Sequence, residues 1–268
     1  MTYIEFAEMG SIDPNVAYRA ASEAAARAVS LDPDLGVAHT AMGYVKFAHD
    51  YDWAGAEKEL KRGIELNPGA ADAFNFYGRF CASVGRYDEA VSLNRRAREL
   101  DPIAHMLDAV TALLRAGRYD EAILEAKDVR EYDPEYDRAM ATLGWAYFLS
   151  GRQDEGIAEL ESAVAASPEN TTWLGQLGEA YALAERKEKA EEVLRTLQER
   201  SAKGLVSPYH FAYVYVGLGE YDKAIDYLEQ AVERRTGPTY GISGSFLLAP
   251  LRSRPRFRAL LGKMNLDS

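Results

Sequence analysis

Small and apolar residues form short helical stripes, and the stripes recur along the chain with a much longer period. Within one segment they are spaced 0, 4, 7, as in Ala122, Ala126 and Val129 or Gly156, Leu160 and Ala163. Ala190, Leu194 and Leu197 repeat the spacing, as do Ala224, Leu228 and Ala231. It draws a single apolar face along a helix. The leading residues, Ala21, Ala56, Ala90, Ala122, Gly156, Ala190 and Ala224, follow one another at steps of 35, 34, 32, 34, 34 and 34. Pro33, Pro68, Pro102, Pro134 and Pro168 lie on the same lattice, with steps of 35, 34, 32 and 34. Proline stops a helix and redirects the chain, so each step closes one structural unit.

Each unit predicts two helices. The first carries a small landmark residue (Gly43, Gly78, Gly144 or Gly178; Val110 and Ala212 elsewhere), with a larger residue such as Cys81, Tyr147 or Tyr181 three positions later. Gly85, Gly117, Gly151 or Gly219 then marks a turn where a left-handed backbone is cheap. The second helix opens with acids such as Asp88, Glu89, Asp120 and Glu121, favourable at a helix N-terminus. The string Gly-Arg-Tyr-Asp-Glu-Ala stands at both 85–90 and 117–122, and Gly-Glu-Tyr-Asp-Lys-Ala stands at 219–224. Three departures stand out. The first full unit has an extra residue near Asp50 to Trp53, the third is two residues short after Pro102, and Glu185 replaces the turn glycine of the fifth.

Leu143-Gly144, Tyr147 and Pro168, with Leu177-Gly178, Tyr181 and Ala190, give the chain a pattern that resembles the tetratricopeptide repeat. The resemblance implies an all-α fold, a right-handed superhelical solenoid of helix-turn-helix repeats. Residues 1–33 then form N-terminal capping helices, including a degenerate repeat, 34–236 form six repeats, and 237–268 form a loop and a capping helix. Stacked repeats share one continuous core, because no single helical pair can bury its own apolar face. The loop before the last helix is rich in Gly and Ser yet carries Tyr240, Phe246, Leu247 and Leu248. Three placements stay open for it: packed on the last repeat, folded into the groove, or mobile.

In this family the first helices line a concave surface that holds a peptide or another protein. Carrying that geometry over places Tyr44, Phe47, Arg79, Arg138, Trp145, Phe148, Tyr209 and Tyr213 in the groove. Aromatic residues with a few arginines are the composition of binding hot spots. The arginines predict a partner with acidic groups. The two-lysine, two-asparagine carboxylate clamp of chaperone-binding members is not matched, since Thr40, Tyr44, Asp72 and Phe76 stand at its first four places. The segments at 52–68, 206–209 and 251–261 further resemble the repeat region C-terminal to adenylate cyclase, Ser/Thr kinase or winged-helix regulatory domains of bacterial signalling proteins. The resulting expectation is a non-enzymatic interaction scaffold, with self-association into a homo-oligomer as the alternative and a small-ligand binder or enzyme last.

Composition narrows the picture without redirecting it. The 268 residues carry 31 Lys+Arg against 42 Asp+Glu, a net charge of −11, which argues against a nucleic-acid-binding surface. A single cysteine excludes an intrachain disulfide and suits a reducing compartment. No apolar run approaches the ~18 residues of a membrane helix. The first residues lack the basic and apolar regions of a signal peptide, so a cytoplasmic location is expected. No phosphate loop, dinucleotide fingerprint or zinc motif occurs, and His39, His49, His105 and His210 are dispersed; neither cofactor nor metal is expected. Cys81 falls on an interior position of the repeat, where a buried, unreactive thiol is expected.

Overall fold

A computed structural model describes residues 13–202, 206–236 and 239–266. Among these residues the regular elements are all helical. The helix α1 (Pro14–Leu31) leads. Six helical pairs follow: α2 (Gly36–Val45) with α3 (Trp53–Leu66), α4 (Ala71–Ser83) with α5 (Tyr87–Leu100), and α6 (Asp108–Arg115) with α7 (Tyr119–Tyr132). Then come α8 (Asp137–Leu149) with α9 (Gln153–Ala166), α10 (Thr171–Leu183) with α11 (Lys187–Ser201), and α12 (Pro208–Gly217) with α13 (Tyr221–Arg234). Two 3₁₀ turns, Thr239–Gly241 and Phe246–Leu251, precede α14 (Pro255–Gly262). The N-terminal cap expected over residues 1–33 is described only from Asp13 onward.

The lattice residues explain where helices start and stop. Asp32, Asn67, Asp101, Asp133 and Ser167, each just before a lattice proline, leave the helix with extended φ between −129 and −139°. Steric conflict with the proline ring imposes this conformation. The turn glycines Gly85, Gly117, Gly151 and Gly219 have φ of 82, 72, 91 and 73°. Glu185 adopts φ 60° at the same turn, so the fifth unit keeps the turn at the cost of a strained non-glycine residue.

The other departures are absorbed locally. The extra residue of the first unit is taken up by a π-helical turn, Lys46–Asp50, ended by Tyr51 at φ 57°. The third unit loses the start of its first helix: α6 begins six residues after Pro102, where α4, α8 and α10 begin three after theirs. The 101–107 segment is instead fastened by the Asp101 carboxylate, which accepts from the Ile103 and Ala104 amides at 3.2 and 3.0 Å.

By internal packing the chain divides into two compact units. One comprises residues 1–112, 232–245 and 258–268, the other 113–231 and 246–257. In the first, the core is the stripe Ala56 and Leu60 with Ala90, Val91 and Ala97, against Tyr44, Phe47, Phe80 and Cys81. Asn94 interrupts that stripe and is nonetheless buried. Its Oδ1 receives the Asn75 amide at 3.5 Å, and its Nδ2 donates to the Asp108 carbonyl at 3.2 Å. A satisfied polar group of this kind costs little to bury. In the second unit, Ala122, Ala126 and Val129, then Leu160 and Ala163, then Ala190 and Leu197, form the same stripe. There Gly144 of α8 and Gly156 of α9 pack backbone to backbone.

A recurrent arginine organises the turns. Arg86, Arg118 and Arg152 each sit at the N-cap of a second helix and pair with the glutamate three residues on, Glu89, Glu121 and Glu155. Arg86 also donates to Glu57 at 2.7 Å and to the Tyr77 hydroxyl at 2.8 Å. Burial works against the Glu57 charge, yet hydrogen bonds from Lys61, Arg86 and Tyr77 hold its carboxyl down at about 2.

Candidate binding surface

The first helices of each unit present the side chains assigned to the groove, and in both units the C-terminal segment lies on them. In the first unit, Tyr44 on α2 and Phe47 in the π-helical turn meet edge to face, their centroids 4.9 Å apart. Phe76 on α4 packs on Tyr44 at 4.5 Å, and Arg79 lies one turn further along α4. Tyr240 enters this cup, 6.2 Å from the Tyr44 ring and 5.2 Å from Phe47, nearly perpendicular to the latter. Its phenol oxygen accepts from the Arg79 guanidinium and from the Tyr44 hydroxyl. The guanidinium lies 5.1, 5.8 and 5.5 Å from the centroids of Tyr44, Phe76 and Tyr240. Arg79 is half-buried, so its hold on these ring faces lies between about 0.5 and 2 kcal/mol.

The rest of the strap is fixed just as specifically. Thr239 and Tyr51 share a hydroxyl hydrogen bond at 3.3 Å, and the Ser243 hydroxyl donates to the Ser83 carbonyl at 2.8 Å. A Cβ at Gly244 would stand 2.7 Å from the Ala82 carbonyl oxygen, so the strap passes α4 as bare backbone. Behind it, Trp53 donates to the Met264 carbonyl at 2.8 Å and Asn265 to the Tyr51 carbonyl at 3.2 Å. The Arg235 guanidinium stacks 4.0 Å over Tyr51.

In the second unit, Trp145 and Phe148 on α8 pack edge to face at 5.4 Å. Phe246 covers Trp145 at 5.6 Å, and the Trp145 indole donates to Gln176 on α10 at 2.8 Å. Leu247, Leu248 and Leu251 are buried, and the 246–251 turn packs on α12. Tyr209 and Tyr213 of α12 meet edge to face at 4.9 Å. Arg138, half-buried, lies two turns before Trp145 on the same face of α8. Glu179, on α10, is buried with no hydrogen-bond partner at its Oε2, and burial pushes its carboxyl well above the carboxylate range. Burial likewise raises the Tyr213 phenol, helped by the negative charge that Tyr209 and Glu179 would carry. Arg256, on α14, clamps Asp226 and Glu229 of α13 at 2.7 and 2.6 Å.

Tyr44, Phe47 and Arg79 thus come together, as do Trp145 and Phe148, and Tyr209 and Tyr213. The expected open groove is corrected in one respect: Tyr44, Phe47, Trp145, Phe148, Tyr209 and Tyr213 are all buried, with the C-terminal segment against Tyr44, Phe47 and Trp145. Of the three placements left open for residues 237–249, the described part from Thr239 onward lies against first helices in each unit; 237 and 238 fall outside the described residues. Phe76, Tyr240 and Phe246 complete the surface. The apolar character of the loop signalled the last two, and no periodicity could have matched them to their hosts. Cys81 is buried, and burial pushes its thiol up to about 12. Among the described residues no cluster of His, Cys, Asp or Glu is arranged to hold a metal ion, and no helix is long and apolar enough to cross a membrane.

Paired helices in tandem, closed by proline-directed turns and lined by aromatic first helices, define an all-α helical-repeat protein. Residues 52–104 and 107–171, 150–207, and 209–236 each match the tetratricopeptide repeat. The chain belongs to the tetratricopeptide-repeat family. No curated protein matches it. Among solved structures, it is similar to PilW, a widely conserved type IV pilus biogenesis factor, at TM-score 0.54 and 16% identity, covering 93% of this chain and 96% of that one. It is also similar to a human IFIT1 dimer with PPP-AAAA, at TM-score 0.56 and 17% identity, covering 93% of this chain and 66% of that one. Pseudomonas aeruginosa PilF follows at TM-score 0.50 and 14% identity, covering 82% of this chain and 98% of that chain. At such identities the likeness is one of fold.

Proposed function

We infer that the chain is a non-enzymatic interaction scaffold whose first helices hold a protein or peptide segment, as a regulatory or sensory module of a bacterial signalling protein. One observation carries the peptide-holding reading. The first-helix surface of the first unit already holds a turn-rich stretch of polypeptide, residues 239–245, by an aromatic cup, side-chain hydrogen bonds and a backbone contact that tolerates only glycine. Arg79 and Arg138 supply positive charge to a protein of net charge −11, which favours partners with acidic groups. A cytoplasmic setting fits a chain with one buried thiol. The reading includes no nucleic-acid or membrane partner and no cofactor.

A peptide array probed with the full chain and with its Arg79→Ala, Arg138→Ala and Trp145→Ala variants tests this. Retention of a sequence-defined subset by wild type, weakened in at least one variant, supports the proposal. Equal binding to all four proteins refutes the proposed surface.

Self-association is the second reading, favoured by the same strap. A segment that docks on its own chain can dock identically on a second copy, the low-cost route of domain exchange. Light scattering of the full chain and of one truncated after residue 236 separates the readings. A concentration-dependent dimer that disappears on truncation supports exchange, whereas two monomers exclude it.

A further inference from the structure

We propose that the cup of Tyr44, Phe47, Phe76 and Arg79 is a tyrosine-reading site, and that the partner it fits is a turn-forming segment presenting a tyrosine with glycine four residues later. This rests on the peptide-holding reading above and names the feature that the surface reads. The cup combines apolar ring faces with one cation at its rim. Tyr240 satisfies both parts, its ring against Phe47 and its phenol oxygen on Arg79 and Tyr44. An aliphatic side chain would leave the ring contacts unmade, and a phenylalanine would leave the Arg79 and Tyr44 donors without that acceptor. A tyrosine is the residue that meets all of these contacts.

Beyond the cup, the surface selects against side chains. Ser243 donates to the Ser83 carbonyl, and Gly244 passes 2.7 Å, measured from an added Cβ, from the Ala82 carbonyl oxygen. The tyrosine and the glycine therefore fix the register of a bound segment. The strap reaches this surface from about 160 residues further along the chain, so local geometry does not force the match. A tethered occupant is present at an effective concentration in the millimolar range. An incoming segment must therefore carry the same two features to compete.

The probe is a fluorescent peptide of residues 236–249, and the host is the full chain carrying Gly244→Val, which displaces the tethered strap. Anisotropy is expected to show binding to this variant about tenfold or more tighter than to wild type, as removal of a tethered competitor demands. A peptide with alanine in place of its tyrosine, or addition of Arg79→Leu to the host, is expected to abolish the gain. Equal binding of the tyrosine and alanine peptides overturns the tyrosine reading and leaves the peptide-holding surface standing. No binding of either peptide to a variant with wild-type circular dichroism overturns both, and wild type binding as tightly as the variant places the peptide elsewhere. Tyr240→Gly provides a check independent of strap displacement. 4-Methylphenol should raise its melting temperature, toluene by less than half as much, and wild type should not respond. Equal responses to the two compounds, or none, overturn the proposal.

Discussion

Replacing Gly156 by alanine separates the repeat pattern from the structure. Every other leading residue of the lattice, from Ala21 to Ala224, is alanine, and alanine is favoured over glycine inside a helix by about 1 kcal/mol. The lattice alone therefore predicts a gain. In the structure a Cβ on Gly156 would stand 2.6 Å from the Gly144 carbonyl oxygen, 2.7 Å from the Phe148 nitrogen and 2.9 Å from its Cβ. Two of these neighbours are backbone, so relief requires α8 and α9 to move apart. Overpacking of this kind costs about 1–3 kcal/mol. Set against the propensity gain, the net expectation is a loss of up to about 2 kcal/mol. Gly69→Ala is the control, since its Cβ would meet only the Asn67 side chain at 3.7 Å. Urea unfolding followed by tryptophan fluorescence, to which Trp145 next to Gly144 contributes, measures both variants. A Gly156→Ala midpoint at or above wild type, with unchanged slope, would refute the packing argument.

His105 lies between Asp108 at 2.9 Å and Asp72 at 3.4 Å, and hydrogen bonds to the two carboxylates raise it to about 9. Its stabilisation is complete below the unfolded value near 6.5 and is lost as pH rises through 9; His105→Gln should flatten the urea midpoint over that window, by about 2 kcal/mol. Glu179 has the opposite character for an acid: burial raises it, so the folded state loses stability as pH climbs above the ordinary 4.5. Glu179→Gln should therefore stabilise the protein near neutral pH by about 1–2 kcal/mol, and a destabilised variant would show that the carboxyl has a partner it needs. Cys81 should resist a thiol reagent in the native protein at neutral pH and react fully in denaturant; rapid native labelling would contradict its burial.

The fold was legible because a repeated helical pair writes the same physical constraints many times. Ala122, Ala126 and Val129 announce a buried stripe, and Pro134 announces its end, without reference to anything distant. Even the departures were visible, though not their solutions. The extra residue before Trp53 could have lengthened a loop, and it became a π-helical turn with Tyr51 left-handed. The two missing residues after Pro102 shortened α6 from its start, leaving Asp101 to cap the bare amides. The surface was half legible. Tyr44, Phe47 and Arg79 follow from repeat register, but Tyr240 belongs to an aperiodic segment whose partners lie far away in sequence. A non-periodic loop has no internal spacing that reveals which face it covers, so an open groove and a filled one look alike along the chain.

The contact between Arg79 and Tyr240 is where the account is most exposed. A double-mutant cycle on the full chain, with Arg79→Leu and Tyr240→Phe alone and together, measures by urea unfolding how far each depends on the other. A coupling of about 1 kcal/mol or more is expected, since phenylalanine keeps the ring in the cup but takes the phenol acceptor from the half-buried guanidinium. Effects that add to within about 0.3–0.5 kcal/mol would show that the cup does not read the tyrosine it holds.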